Sequence, residues 1–70
     1  MNRYTIFLKC TIHQAGLDIT YYPVLTRITN TSSKRIVERA AVHRYLRENW
    51  GTLTEVEVVR TSMEKLKEVA

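Results

Sequence analysis

The feature that most constrains the fold is a strict alternation of side chains close to the N-terminus. Over residues 4–13, every second residue is apolar, and the intervening positions are mostly polar. A two-residue period with many β-branched and aromatic residues is typical of a strand that has one buried face. We therefore expect a β-strand with these inward-facing side chains: Tyr4, Ile6, Leu8, Cys10 and Ile12.

A second strand is predicted directly after a turn. Residues 14–17 include Gly16, which adopts a positive φ without steric cost. Residues 18–28 are again rich in Ile, Thr, Tyr and Val, so the two runs are expected to form a hairpin. Pro23 interrupts the second run and has no N–H to donate, which favours a position at a sheet edge or a bulge.

The middle of the chain predicts one main helix over residues 34–50. This segment is free of Gly and Pro, and the polar residues 30–33 before it supply good N-caps. Gly51 follows at the position where a left-handed C-cap is expected. Alternation of valine and glutamate then predicts a third strand over residues 53–60. Thr61 and Glu64 have the spacing of a capping box, which predicts a short C-terminal helix.

The predicted order is β-β-α-β with that short terminal helix, which indicates an α+β fold. A right-handed crossover through the main helix puts the third strand beside the first. We therefore expect a small three-stranded antiparallel sheet of order 2-1-3, with the main helix packed on one face and Pro23 on an outer strand. A chain of 70 residues has room for one domain, spanning residues 1–70.

Composition excludes several classes of protein. One cysteine and two histidines are too few for an internal disulfide or a structural zinc site, so Cys10 is expected to be a buried core residue. No apolar run approaches the roughly 18 residues that cross a bilayer, and no signal-peptide core follows Met1. With two glycines, no phosphate-binding loop and no paired nucleophile and base, we expect no catalytic residues, metal, cofactor or small-molecule substrate. The predicted location is cytoplasmic (intracellular), away from membranes.

Positive charge is concentrated in the predicted helix. The net charge is +4, yet residues 27–47 alone carry six basic residues against one acidic residue. At 100° per residue, three of these side chains and that of a histidine form a stripe about 18 Å long, which matches contacts to successive phosphates. The stripe consists of Arg35, Arg39, His43 and Arg47. A solvated helix face without a ligand is the alternative. The predicted nucleic-acid-binding residues are Lys34, Arg35, Arg39, His43, Arg44 and Arg47.

The other side of the helix predicts its contact with the sheet. Val37, Ala41 and Tyr45 recur at four-residue spacing almost opposite the basic stripe, and we expect them to face inward. Three apolar residues do not fit, because they fall on or beside the basic stripe. Either the terminal helix covers them, or they contact a partner such as a second copy of this chain. Together with the outward-facing Phe7, the predicted partner interface is Phe7, Ile36, Leu46 and Trp50.

Two functions follow from these surfaces. The first is a non-enzymatic module that binds DNA or RNA through backbone contacts of the basic helix. The second is a protein-interaction module, such as a small inhibitor, adaptor or homodimeric regulator, that uses the apolar helix and sheet surfaces. On the sheet, Phe7 is expected either to stack on a base or to pack against the partner.

Overall fold

The computed structural model describes residues 1–49, 51 and 53–67, and its central element is one long strand. Strand β1 (Asn2–Gln14) alternates between the two faces of the sheet, as the sequence predicts. Four of its side chains have no exposed surface, namely Tyr4, Ile6, Leu8 and Cys10. Ile12, the fifth residue of the predicted inward set, is half-buried. One strand therefore supplies most of the core.

The second predicted run forms two short strands along one edge of β1. Strand β2 (Leu17–Tyr21) pairs with the C-terminal half of β1, and β3 (Val24–Thr29) pairs with its N-terminal half. Ala15 and Gly16 form the turn with φ angles of 52° and 79°, the two positive values that a type I′ turn requires. Pro23 lies at the break between β2 and β3, where its carbonyl accepts a hydrogen bond of 3.0 Å from the N–H of Leu8. The predicted interruption is confirmed.

Helix α1 (Lys34–Glu48) begins where the sequence predicts and ends two residues earlier. The Ser33 hydroxyl accepts a hydrogen bond of 3.4 Å from the N–H of Ile36, so Ser33 is the N-cap. At the other end, the backbone N–H and the side-chain amide of Asn49 both donate to the Tyr45 carbonyl, at 3.1 and 2.9 Å. These bonds make Asn49 the C-cap. Gly51 does have a left-handed φ of 86°, but it lies beyond the cap.

Strand β4 (Leu53–Lys65) occupies the other edge of β1 and corrects the predicted C-terminal helix. Residues 61–65, where that helix was expected to begin, instead pair with residues 2–6 of β1. The N–H of Leu66 extends the ladder by donating to the Met1 carbonyl at 2.9 Å. A helix of one or two turns is marginal alone, whereas these residues satisfy the backbone of β1. The buried hydroxyl of Thr61 has no hydrogen-bond partner among the described residues, so it does not act there as a helix cap. Residues 68–70 lie outside the described part.

The predicted α+β class, antiparallel sheet and packed helix are confirmed. The predicted β-β-α-β order and three-stranded sheet are corrected to β-β-β-α-β and four strands, because the second predicted run is divided at Pro23 into β2 and β3. These two strands lie on one edge of β1, and β4 lies on the other. The molecule is elongated, with extents of 54 × 18 × 17 Å, because β1 and β4 pair along nearly their whole lengths. In the described ranges, no helix has the length and apolar character needed to cross a membrane.

Candidate functional site

The packing of α1 determines which of its side chains reach the surface. Val37 and Ala41 are 1% and 6% exposed and contact the buried residues of β1, as the sequence predicts. Tyr45 is half-buried on the same side, and its hydroxyl shares a hydrogen bond of 3.1 Å with that of Tyr21. With this stripe held against the sheet, the opposite side of the helix faces solvent.

All six predicted basic residues are exposed, but they do not form one continuous stripe. Three of them lie on the side of α1 above β4, where they line a shallow groove together with Glu38 and Val58. Arg44 lies on the other side, facing β3 across a second groove that it lines with Arg27. Lys34 is in the first helical turn and Arg47 in the last. The three residues beside β4 are Arg35, Arg39 and His43.

The basic residues also differ in their charge partners. The Nε of Arg44 lies 3.1 Å from a carboxylate oxygen of Glu48, one turn further along the helix. Within the described residues, no carboxylate oxygen lies within 4.0 Å of the charged nitrogens of the other basic residues of the helix. The unpaired set, called the basic helix face below, consists of Arg35, Arg39 and Arg47 on the outward side of the helix and of the exposed Lys34 in its first turn. In the described part of the chain, no ion pair within 4.0 Å therefore reduces the positive electrostatic potential of this set.

Apolar side chains lie on the same outward surface. Ile36 is 61% exposed and Leu46 is 40% exposed. At 100° per residue, Ile36 lies about 60° around the helix from Arg39, and Leu46 about 60° from His43. The interpretation that a terminal helix covers them is wrong for the described chain, because residues 61–65 form a strand. Trp50, the third apolar residue of this predicted set, lies outside the described residues.

The sheet face opposite α1, called the open face below, is covered by no element of the described chain. Phe7 is half-buried there, and the Arg60 guanidinium carbon lies 4.4 Å from the centre of its ring. This cation–π contact occupies one side of the ring that was predicted to stack on a base or a partner. Sequence reasoning missed Arg60, because only the register of β4 places it opposite Phe7. The register of β1 with β3 places Val24 beside Phe7 on the other side.

Charges on the open face are mostly compensated, unlike those on the helix. A guanidinium nitrogen of Arg3 lies 3.5 Å from a carboxylate oxygen of Glu64, and the Nδ1 of His13 lies 2.7 Å from a carboxylate oxygen of Asp18. Lys9 is directly opposite Glu57 in the register of β1 and β4. The uncompensated positive charge of the described residues is therefore greatest on the helix side of the molecule.

The interior holds two titratable groups with altered proton affinity. Burial raises the pKa of the Cys10 thiol, although a hydrogen bond with Tyr21 partly opposes this effect. The hydrogen bond with Tyr45 raises the pKa of the Tyr21 hydroxyl, and burial adds to this shift. Both groups are thus held in their protonated forms, and a protonated thiol is a poor nucleophile. Across the described residues, no group of three or more His, Cys, Asp or Glu side chains could hold a metal ion.

Comparison with protein-family models, with curated proteins and with solved structures found no match to this chain. Its function has to be inferred from its own surfaces. Of these, the basic helix face combines exposure, uncompensated charge and a rigid support.

Proposed function

We propose that the chain is a small, non-enzymatic nucleic-acid-binding module whose basic helix face contacts the phosphate backbone. The observation that carries this proposal is that Lys34, Arg35, Arg39 and Arg47 are exposed and that none of their charged nitrogens lies within 4.0 Å of a carboxylate oxygen of the described residues. Cations that form no internal ion pair are available to replace the counterions of a polyanion, and that exchange supplies most of the non-specific affinity for nucleic acids.

The residue types and their spacing support a phosphate ligand. Arg35, Arg39 and Arg47 provide planar guanidinium groups, which bind phosphate oxygens through two parallel hydrogen bonds. They are distributed over a helix length of about 18 Å, at a rise of about 1.5 Å per residue. The helix is capped at both ends and packed through Val37 and Ala41, so the cations project from a fixed support. A fixed support lowers the ordering cost of binding.

His43 and Arg44 flank this surface and have secondary roles in the proposal. His43 lies between Arg39 and Arg47 at four-residue spacing and is exposed, so its ring can donate a hydrogen bond to a phosphate or a base edge. Arg44 is held by Glu48 and is expected to contribute less.

Binding of a labelled oligonucleotide, measured by fluorescence anisotropy over a range of salt concentrations, tests the proposal. Four neutralised phosphates predict a plot of log K against log salt with a slope of about −3 to −4. Replacing Arg39 and Arg47 with Gln should make that slope shallower by about 2, because two phosphate contacts are lost.

The matched control is Arg3→Gln/Arg27→Gln, which removes the same net charge from the sheet. Arg3 is paired with Glu64, and Arg27 lies on β3 outside the basic helix face. The control should leave the slope unchanged. An equal loss in both double variants would show that net charge alone attracts the nucleic acid, and it would refute the helix as the site.

A protein-binding function is the second candidate, and the exposure of Ile36 and Leu46 favours it. Large apolar side chains at the surface of a helix are typical of a contact with a partner. Replacing both residues with Ser should abolish a protein contact while leaving the salt dependence of oligonucleotide binding unchanged. If the Ser variant instead loses oligonucleotide affinity, the two side chains contact bases and belong to the first function.

A further inference from the structure

The outer edge of β4 is the longest unpaired backbone edge of the described sheet. β4 runs from Leu53 to Lys65 and, in the described chain, pairs only with β1. The opposite edge of the sheet is interrupted between β2 and β3 at Pro23, which has no N–H. A long edge with free N–H and C=O groups can add another strand, and the identity of that strand depends on the side chains it meets.

The register with β1 assigns each residue of β4 to a face of the sheet. Val58 and Val56 lie opposite Leu8 and Cys10, on the side covered by the helix. Val59 is the extra residue of a bulge, because Phe7 pairs with Arg60 while the next residue, Leu8, pairs with Val58. The bulge shifts the alternation by one residue, so the open face of β4 carries both odd-numbered and even-numbered positions. In chain order these are Glu55, Glu57, Arg60, Ser62 and Glu64.

The charges along this strand are complementary to those of a second copy in one antiparallel register. When two copies are aligned about Val58, and Val59 of each copy bulges out of the new pairing as it does out of the pairing with β1, each Glu57 lies opposite Arg60 of the other copy. Each Glu55 then lies opposite the uncharged Ser62. Both strands keep the same face towards the helices, and Val58 meets its own copy at the two-fold axis. Opposite charges that face each other across strands stabilise a sheet.

The neighbouring registers that keep the faces matched bring like charges together. Alignment about Arg60 places the two copies of that residue opposite each other and places each Glu55 opposite a Glu64. Alignment about Glu57 places each Glu55 opposite Arg60, which gives as many opposite-charge pairs as the register centred on Val58, but it also places the two Glu57 carboxylates opposite each other. Like charges in direct opposition are destabilising, so the strand selects the register centred on Val58.

We propose that β4 is a self-association edge, and that two copies of this chain pair β4 to β4 in the antiparallel register centred on Val58. The product is one continuous antiparallel sheet with both helices on the same face. Val58 also lines the groove that contains Arg35 and Arg39, so the two grooves meet above the two-fold axis. The dimer does not depend on the proposed nucleic-acid binding, although it would join the two basic helix faces into one surface.

Sedimentation equilibrium and light scattering over a range of protein concentrations test this pairing. The mass should rise with concentration from 8.2 kDa to twice that value. Glu57→Arg and Arg60→Glu should each raise the dimer dissociation constant about tenfold, because two opposite-charge pairs become like-charge pairs. The combined variant Glu57→Arg/Arg60→Glu restores both pairs with reversed signs, and its dissociation constant should return to near that of the wild type.

Glu55→Arg is the matched control, because it makes the same charge change on the same face opposite the neutral Ser62. It should leave the dissociation constant within about threefold of the wild type, a change below 1 kcal/mol. Glu57 also faces Lys9, and Arg60 contacts Phe7, within one copy. Circular dichroism therefore verifies that each variant is folded, and the combined variant separates lost pairing from lost stability.

Three outcomes would overturn the inference. The first is a mass that stays at 8.2 kDa at every concentration up to the millimolar range. The second is a dimer that both single variants leave intact, which would locate the contact on another surface. The third is a combined variant that dimerises no better than the single variants, which would contradict the direct opposition of residues 57 and 60.

Discussion

Replacing Tyr4 with Phe should weaken the connection between the sheet and the start of the helix. Tyr4 has no exposed surface, and its hydroxyl donates a hydrogen bond of 2.7 Å to the carbonyl of Thr31. Thr31 lies in the loop between β3 and α1, where its own hydroxyl accepts from the N–H of Ser33, the helix N-cap. The hydrogen bond of the Tyr4 hydroxyl is therefore one of the contacts that fix the position at which α1 begins.

The magnitude follows from what remains after the hydroxyl is removed. The Thr31 carbonyl also accepts a hydrogen bond of 3.0 Å from the side-chain amide of Asn2, so in Tyr4→Phe it keeps one partner. The expected loss is that of one neutral hydrogen bond, about 1 kcal/mol. In Asn2→Ala/Tyr4→Phe the carbonyl loses both partners, and the loss should rise to about 2–4 kcal/mol because an unsatisfied carbonyl adds its desolvation cost. The double variant should thus lose more stability than the two single variants together.

Thermal and urea unfolding followed by circular dichroism measure both variants. A loss of 1 kcal/mol should lower the melting temperature of a domain of this size by about 4–8 °C. Tyr22→Phe is the control, because Tyr22 is 67% exposed and its hydroxyl forms no hydrogen bond with the described residues. If Tyr4→Phe changes stability no more than Tyr22→Phe does, the Thr31 contact does not hold the helix. Equal losses in the double variant and in Tyr4→Phe would show that Asn2 contributes nothing.

Three further predictions concern other parts of the fold. Cys10 should resist alkylation by iodoacetamide in the native protein, because burial raises the pKa of its thiol, and it should react at the ordinary rate in urea. Rapid alkylation of the native protein would contradict the position of Cys10 in the core. The pKa of Tyr21 is raised in the folded state, so its contribution to stability is complete below pH about 10 and is lost as the pH rises further. Tyr21→Phe should make urea midpoints less sensitive to pH above that value, and an unchanged pH profile would argue against the Tyr45 contact. Ala15→Asn should raise the unfolding free energy by about 0.5–1 kcal/mol, because Asn tolerates the positive φ that Ala15 adopts, whereas a loss of stability would exclude the type I′ turn.

The strands and the helix could be predicted from local pattern because one face of each is buried. The alternation at β1 identified the four buried side chains correctly, and the spacing of Val37 and Ala41 identified the packed side of the helix. Pro23 predicted the break in the second run for a reason that holds in any context, its missing N–H.

The C-terminal segment was predicted wrongly because local and long-range signals disagree there. Thr61 and Glu64 have the spacing of a capping box, which describes only the hydrogen bonds available within one short segment. In the structure Thr61 lies opposite Ile6, and Glu64 lies beside Arg3. The edge of β1 offers these residues a full set of backbone partners, and no local pattern reveals that edge.

The basic helix face could be predicted only as a set of positions. Four-residue spacing gave Arg35, Arg39 and Arg47 a common side, and they are exposed as the pattern requires. The pairing of Arg44 with Glu48 and its separation from the rest across the helix depend on where β3 and β4 lie. The compensation of charges on the open face could not be predicted from the sequence either, because it depends on which residues the register of β1 and β4 places opposite each other.

The pairing of β1 with β4 also has a consequence for the order in which the molecule can assemble. β1 is synthesised before the other described elements and supplies four of the six buried residues of the described chain, yet its longest partner, β4, is synthesised after β2, β3 and α1. Contacts such as that of Asn2 with Lys65 close almost the entire described chain into a loop, and topologies dominated by such contacts fold slowly. During translation, the edge of β1 that pairs with β4 therefore stays unpaired until the ribosome has released β4, and in that interval the nascent chain is open to aggregation or to a chaperone.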